Sequence, residues 1–319
     1  MDSPVKKLRA CVLGASGFLG NHLVHHLLCS GWQVTGFDRA ILPNPLIAPD
    51  VLADYSPLCG DFFEKEDVLH ALDGCDVCFH LISTSLPKSS NEDPIRDIRQ
   101  NLEGSLVLLD CIRNSAVRKV VYASSGGTVY GIPQTRYINE IHPTDPLCSY
   151  GIVKLAFEKY LALYRELYGI DYSVLRISNP YGPLQRADAA QGVIGVFLGK
   201  ILHNEPLTIW GDGTVVRDYL HVSDLARAFV LAAQTDTKNK IFNIGSGTGA
   251  SLNTIIDTLS LITGRTLAVN YVEGRIFDVP YSVLDISRAR ADLEWSPLLS
   301  LDEGLHDTWQ WLCRVRSNA

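Results

Sequence analysis

No stretch of this 319-residue chain is long and apolar enough to cross a bilayer, which takes about 20 consecutive apolar residues. The first nine residues lack the charged-then-apolar build of a signal peptide, and the apolar run 10–13 that follows is far too short to replace it. A cytoplasmic protein with no membrane partner is expected. No basic run is present, and the net charge is −7. Nucleic-acid binding is driven by clustered Lys and Arg, so that partner is not expected either. An anionic small molecule would need local Arg groups to offset the overall charge. Internal repeats and low-complexity linkers are absent, and 46% of the residues are hydrophobic, ample for one large core or two coupled ones. No second CxxC accompanies Cys75-Asp76-Val77-Cys78, and the scatter of the eight cysteines reads as reduced, buried small hydrophobes. His22, His25 and His26 share a predicted helix and read as a polar face; no metal is expected.

What is present is an alternation. Residues 8–13 read as a buried strand, and 18–30 as a helix with Leu19, Leu23 and Leu27 on one face and Gly31 ending it. Residues 33–38, 76–81, 119–124 and 172–177 are further short apolar runs, while 97–116 and 150–168 read as long helices. Strands alternating with helices imply parallel pairing and right-handed crossovers, hence an α/β fold with a doubly wound, mostly parallel Rossmann sheet. After Ile177 the rhythm changes to a turn cluster, 179–183, and shorter pieces: helices near 193–203, 223–233, 252–263 and 301–314, and a strand at 207–210. The expected division is a dinucleotide-binding domain over 1–177 and about 214–246, with a smaller α/β substrate-binding region over 178–213 and 247–319. That region should close over the carboxyl edge of the sheet, where open α/β sheets bind ligands.

Gly14-Ala15-Ser16-Gly17-Phe18-Leu19-Gly20 sits at the first strand-to-helix turn. Glycines there let the backbone approach a pyrophosphate, and the helix N-terminus presents N–H groups and a partial positive charge to it. Asp38 ends the next strand, where a carboxylate accepts both ribose hydroxyls and repels a 2′-phosphate, favouring NAD over NADP. Arg39 follows and could soften that choice; a solvated carboxylate at a strand end is the lesser alternative for Asp38. Asp61 either reaches the adenine edge or caps the helix near 64–72.

Tyr150 and Lys154 are four residues apart at the start of an amphipathic helix and share a face. A free tyrosine has a pKa of ~10, and acting as a base near pH 7 requires a fall of about three units, or ~4 kcal/mol. A nearby ammonium together with a nicotinamide cation can supply that at low dielectric. Standing alone, the spacing is common by chance and a plain surface helix explains it. After a dinucleotide turn, it points to an enzyme that moves a hydride and a proton at one carbon.

At this point the chain resembles the extended short-chain dehydrogenase/reductase family, in its nucleotide-sugar branch, which includes 4-epimerases of UDP-hexoses and UDP-N-acetylhexosamines. The resemblance covers nearly the whole chain. It rests on 14–20, Asp38, Ser124-Ser125-Gly126-Gly127-Thr128-Val129-Tyr130-Gly131, 150–154, Arg176-Ile177-Ser178-Asn179-Pro180-Tyr181-Gly182-Pro183 and Val216-Arg217-Asp218-Tyr219-Leu220-His221-Val222. It implies bound NAD, lined also by Phe18, Leu19, Phe62, Leu81 and Ser124. It implies that Tyr150 takes the proton of a sugar 4-hydroxyl, and that the 4-keto sugar turns over before reduction. Asn179 would lie near the substrate phosphates, Arg217 and Arg275 would clamp the pyrophosphate, and Asp278 would bond the nucleotide ribose. A homodimer is implied as well, through 97–116 and 150–168, although core packing explains Leu102, Leu106, Leu109 and Ile112 equally well.

Two departures matter. The hydroxyl that relays the proton usually stands where this chain has Gly126, so Ser125 or Thr128 would replace it, with Thr128 favoured; Thr128 packing in the turn is the bland alternative. The segment 126–128 also carries no carboxylate, unlike dehydratases and decarboxylases of the branch. Ser282, placed by its spacing from Asp285, falls where a small residue leaves room for an N-acetyl group. The expected activity is 4-epimerisation of a UDP-hexose or UDP-N-acetylhexosamine, supplying surface-polysaccharide precursors. A nucleotide-sugar reductase, an epimerase at another carbon, and a non-catalytic dinucleotide-binding regulator are the alternatives.

Overall fold

The computed structural model describes residues 7–186, 192–274 and 279–317. In chain order the strands are β1 (Arg9–Leu13), β2 (Gln33–Asp38), β3 (Tyr55–Cys59), β4 (Val77–His80), β5 (Lys119–Ser125), β6 (Asp171–Ile177), β7 (Asn179–Tyr181), β8 (Leu207–Trp210), β9 (Val216–His221), β10 (Ile241–Ile244), β11 (Gly249–Ser251), β12 (Val269–Val272) and β13 (Tyr281–Ser282). The α-helices are α1 (Phe18–Cys29), α2 (Lys65–Leu72), α3 (Pro87–Ser90), α4 (Pro94–Asp97), α5 (Gly104–Arg113), α6 (Ser149–Tyr168), α7 (Val193–Leu202), α8 (Val222–Gln234), α9 (Leu252–Thr263), α10 (Ser287–Leu293) and α11 (Leu301–Ser317). The chain divides into two compact units: Met1–Val129, Thr144–Arg176 and Ala226–Phe242 form one, and Tyr130–Pro143, Ile177–Leu225 and Asn243–Ala319 the other.

The expected α/β sheet is present, seven-stranded in the order β10-β6-β5-β4-β1-β2-β3. β1 lies centrally and pairs in parallel with both β2 and β4, with Leu13 beside Phe37 on one side and His80 on the other. All of β4, and all of β1 after Arg9, are buried, as strands covered by helices on both faces require. Leu23 and Leu27 of α1 are fully buried, which fits the periodic face read from the sequence. Burying each such side chain contributes about 1.5–3 kcal/mol. The first unit's core joins Cys11, Leu13, Phe37, Phe79's neighbour Cys78, Leu108, Val120 and Phe157.

Three details differ from expectation. The single helix expected over 97–116 is α4, a π-helical segment at Ile98–Glu103, and α5. Widened turns of this kind recur at functional sites; this one carries Asn101, whose amide reaches Asp97 and Ser85. Leu109 and Ile112 face the core, so neither is available to a dimer contact, whereas Ile152, Leu163 and Leu167 of α6 are exposed. His22 is not on a polar face: it is buried edge-on to Phe18 at 5.9 Å.

The second unit packs Tyr181, Ile194, Phe197, Leu207, Tyr219, Ile255 and Leu305 into its own core. β9 is its organising strand, parallel to β7 and β13 and antiparallel to β11. Asp218 on β9 is buried and accepts from Ser246 N at 2.7 Å, Ser246 Oγ at 2.8 Å and Leu284 N at 3.2 Å. Burial pushes its carboxyl up and these donors pull it back. Alternation along the strand then sends the neighbour Arg217 the other way.

Candidate functional site

In the first unit, Gly14, Gly17, Asp38, Arg39, Asp61, Phe62 and Leu81 line one cleft of about 570 Å³. Phe18, Leu19 and Gly20 make the first turn of α1 behind it. Gly20 packs so closely that a Cβ would run into the carbonyl oxygen of Gly14 and sit 2.8 Å from the Ala15 backbone. Asp38 is held by backbone donors, Ser16 N at 3.0 Å and Arg39 N at 2.9 Å. These bonds fix its carboxylate at the end of β2. Asp61 does not cap α2: Glu64 is the N-cap, and Asp61 Oδ1 instead accepts its own Phe63 N at 3.0 Å.

The start of α6 sets the second cluster. Gly151 lies against the 125–128 turn, where a Cβ would sit 2.8 Å from the Thr128 carbonyl oxygen and 2.9 Å from Pro146. Glycine after Tyr150 therefore lets the helix approach that turn. Thr128 Oγ1 is buried with no hydrogen-bond partner among the described residues. Ser125 is half-buried, and its carbonyl accepts Val129 N at 3.2 Å. One turn further, Lys154 is buried and donates to the Ala123 carbonyl at 2.8 Å. Its ammonium lies 5.5 Å from the centre of the Tyr150 ring and 4.8 Å from that of Tyr122.

The electrostatics of the pair are set by desolvation. Burial pulls Lys154 down to about 8, against the charges of Asp97 and Glu158. Burial pushes the Tyr150 phenol up to about 12, with a hydrogen bond from Ser83 acting against it and Cys148 and Asp97 acting with it. Of the groups that act on the Tyr150 phenol, only Ser83 lowers it; Lys154 is not one of them. Ser124, expected on the cofactor, gives its hydroxyl to Glu158 Oε1 at 2.5 Å.

The second unit holds a cavity of about 250 Å³ lined by Asn179, Arg217, Trp210, Tyr219, Val193 and Leu252, among others. Arg217 Nη1 donates to the carbonyls of Val279 at 2.6 Å and Val216 at 2.9 Å. Asn179 Nδ2 donates to the Asp218 carbonyl at 2.8 Å. Ser282 is opposite Arg217 in the β13–β9 register and does not line this cavity. Arg275 and Asp278 lie outside the described residues.

Sequence reading missed Ser83, Thr84, Arg96 and Gln100 in the first cleft and Trp210 and Gln185 in the second cavity. Arg96 and Gln100 are four apart, a spacing that could have been read as one helical face, and Ser83 and Thr84 follow a strand's carboxyl end.

The chain is similar to known proteins over nearly its whole length. The NAD dependent epimerase/dehydratase family is matched over residues 10–245. A UDP-glucose 4-epimerase of Mycolicibacterium smegmatis is 35% identical over 310 residues, covering 94% of this chain and 97% of the relative. The structure of UDP-glucose 4-epimerase from Thermotoga maritima with UDP-glucose superposes with a TM-score of 0.89 at 33% identity, over 97% of this chain and 100% of that one. A UDP-N-acetylglucosamine 4-epimerase from Methanobrevibacter ruminantium, in complex with UDP-N-acetylmuramic acid, gives 0.90 at 28% identity, over 98% and 100%.

Proposed function

The chain belongs to the NAD dependent epimerase/dehydratase family, and from that premise we propose that this NAD-dependent enzyme inverts C4 of UDP-hexoses and UDP-N-acetylhexosamines through a 4-keto sugar. The residues present suit the dinucleotide: Gly20 admits close backbone approach, Asp38 offers a carboxylate to a ribose diol, and Arg39 and Arg96 bring positive charge to the same cleft. Bound NAD supplies the hydride acceptor and, reduced, the hydride donor.

Tyr150 is the group that takes the proton from the sugar O4 and returns it. Lys154 supports the phenolate as a buried cation. Thr128, rather than Ser125, passes the proton between sugar and phenol. The observation that carries this reading is the Thr128 hydroxyl, buried and unpartnered in the turn against which Gly151 holds α6. Leaving such a hydroxyl unsatisfied costs about 1–3 kcal/mol, a cost that a substrate hydroxyl would relieve. Gly126, Gly127 and Thr128 provide no carboxylate, which speaks against elimination and decarboxylation.

In the second unit, Asn179 and Arg217 are assigned to the substrate diphosphate, with Arg275 and Asp278 as expected partners from the sequence. Trp210 and Tyr219 offer aromatic surface to the base. Ser282, which lies outside this cavity opposite Arg217, is the small residue that the sequence reading places beside an N-acetyl group.

The test is an NMR assay of purified protein with UDP-glucose, UDP-galactose and their N-acetylated counterparts, without added cofactor. Conversion within both pairs is expected. Tyr150→Phe should lower turnover at least about 10²–10⁴-fold, the range general-base catalysis contributes, while bound NAD is retained. Unchanged turnover in that variant would refute the assignment, and net NAD(P)H consumption would replace epimerisation with reduction.

A further inference from the structure

The first turn of α6, which carries Tyr150, is held by one neighbouring stretch of chain, residues 83–101. Ser90 Oγ accepts Tyr150 N at 3.0 Å, and Asn91 Oδ1 accepts Ser149 N at 2.9 Å. The Ser149 hydroxyl donates to Asp97 Oδ2 at 2.6 Å. The other carboxylate oxygen, Oδ1, accepts from Ser85 Oγ at 2.5 Å and Asn101 Nδ2 at 2.8 Å. Asn101 Oδ1 in turn accepts Thr84 N at 2.8 Å and the Thr84 hydroxyl at 3.2 Å. Ser83 and Thr84 line the dinucleotide cleft, and Ser83 lowers the pKa of the Tyr150 phenol against the effect of burial. Asp97 is therefore the hub through which the cleft wall and the start of α6 are tied.

Asp97 is 2% exposed, and the donors holding its carboxylate are neutral. A buried carboxylate without a cation is expensive. The groups acting on the buried Lys154 ammonium come from several elements: His80 on β4, Tyr122 on β5, Tyr150 and Glu158 on α6, and Asp97 on α4. Burial keeps His80 neutral. Glu158 is already neutralised by Arg176 Nη2 at 2.6 Å. Asp97 is then, among these groups, the carboxylate held by neutral donors alone, and it acts on Lys154 through space while the ammonium itself donates to the Ala123 carbonyl.

We propose that Asp97 is a positioning residue for the proton-transfer pair: it ties the first turn of α6 to the wall of the dinucleotide cleft, and its negative charge balances the buried ammonium of Lys154. This rests on the reading of Tyr150 as the group that moves the proton. Three features of the molecule converge on this role: the π-helical segment that places Asn101, the hydrogen bonds that end at Ser149, and the lack of any other unneutralised anion among the described groups around Lys154.

The experiment compares the native holoenzyme with Asp97→Asn and Ser149→Ala. Asparagine keeps the size and still accepts from Ser85 and Asn101 through its carbonyl oxygen, but removes the charge. Loss of an anion lowers the pKa of every neighbouring group, so both limbs of the kcat–pH profile should move to lower pH, by about one unit. At the native optimum kcat should fall about 10–100-fold, with KM within about threefold and bound NAD retained. Ser149→Ala keeps the charge and should lower kcat without moving the limbs. Limbs of Asp97→Asn that coincide with the native ones overturn the proposal, whatever their height.

If the native protein converts no UDP-sugar, the functional reading fails separately. Amide hydrogen exchange of residues 149–153 in the NAD-loaded protein then decides the tie itself. Exchange at least about tenfold faster in Asp97→Ala, equivalent to ~1.4 kcal/mol of local opening, supports it. Unchanged exchange overturns it.

Discussion

Glu158 and Arg176 form a buried pair beneath the α6 site, with Arg176 Nη2 2.6 Å and Nε 3.1 Å from the two carboxylate oxygens and Ser124 donating to the same group. It joins α6 to β5 and β6, so the helix carrying Tyr150 and Lys154 is locked to the sheet. Glu158→Ala leaves a buried guanidinium without its anion and should cost about 3–5 kcal/mol. Urea unfolding followed by circular dichroism measures this. Replacing both residues with apolar side chains of similar volume should cost markedly less.

Acid should unfold the first unit partly through His80. Its Nε2 is 2.8 Å from Ser105 Oγ, whose own proton goes to the Asn101 carbonyl, so His80 is the donor of that bond. Burial, with the Lys154 charge, pulls its pKa down to about 3. The folded value lies below the unfolded one, so the unfolded chain binds the extra proton. The stabilisation is complete above about pH 6.5 and is lost as pH falls toward 3, at up to ~1.4 kcal/mol per pH unit. His80→Phe should flatten the dependence of the urea midpoint on pH between 6 and 4. An identical slope would exclude His80 as the group responsible.

Gly20→Ala and Gly151→Ala should fail differently. The first forces the dinucleotide turn apart and should yield protein that purifies without NAD. The second pushes α6 off the Thr128 carbonyl and should cost about 1–3 kcal/mol, with kcat lowered and NAD retained. Absorbance of released NAD and a thermal melt separate the two cases.

Ser282→Tyr should remove conversion of N-acetylated substrates while sparing the plain hexoses. Competition assays with the two substrate pairs read this directly. Equal loss for both would show that Ser282 acts only through its pairing with Arg217 on β9.

The alternation of short apolar runs with helices was enough to foresee the parallel sheet, because each buried strand and each helical stripe carries its own period. Gly14, Gly17 and Asp38 were legible for the same kind of reason: their geometry is local to one strand–turn–helix. Asp61 was only half legible, since a carboxylate before a helix serves an Asx turn as readily as a cap. The break at 98–103 was not, because its apolar spacing is compatible with a continuous helix. What singles it out is the set of side-chain bonds that Asn101 makes to Thr84, Ser85 and Asp97.

The sequence by itself determined the fold class, the dinucleotide turn and the pairing of Tyr150 with Lys154 on one helical face, since these depend on residues within a few turns of each other. The tertiary structure alone decided the charge environment of that pair. Desolvation raises the phenol and lowers the ammonium, and both effects come from how β4, β5 and the 83–101 segment close around α6. It also decided that Asp97, an ordinary acid in the sequence, becomes a buried anion in contact with Ser149. Burial and the field of distant charges are properties of the packed chain, and no local pattern encodes them.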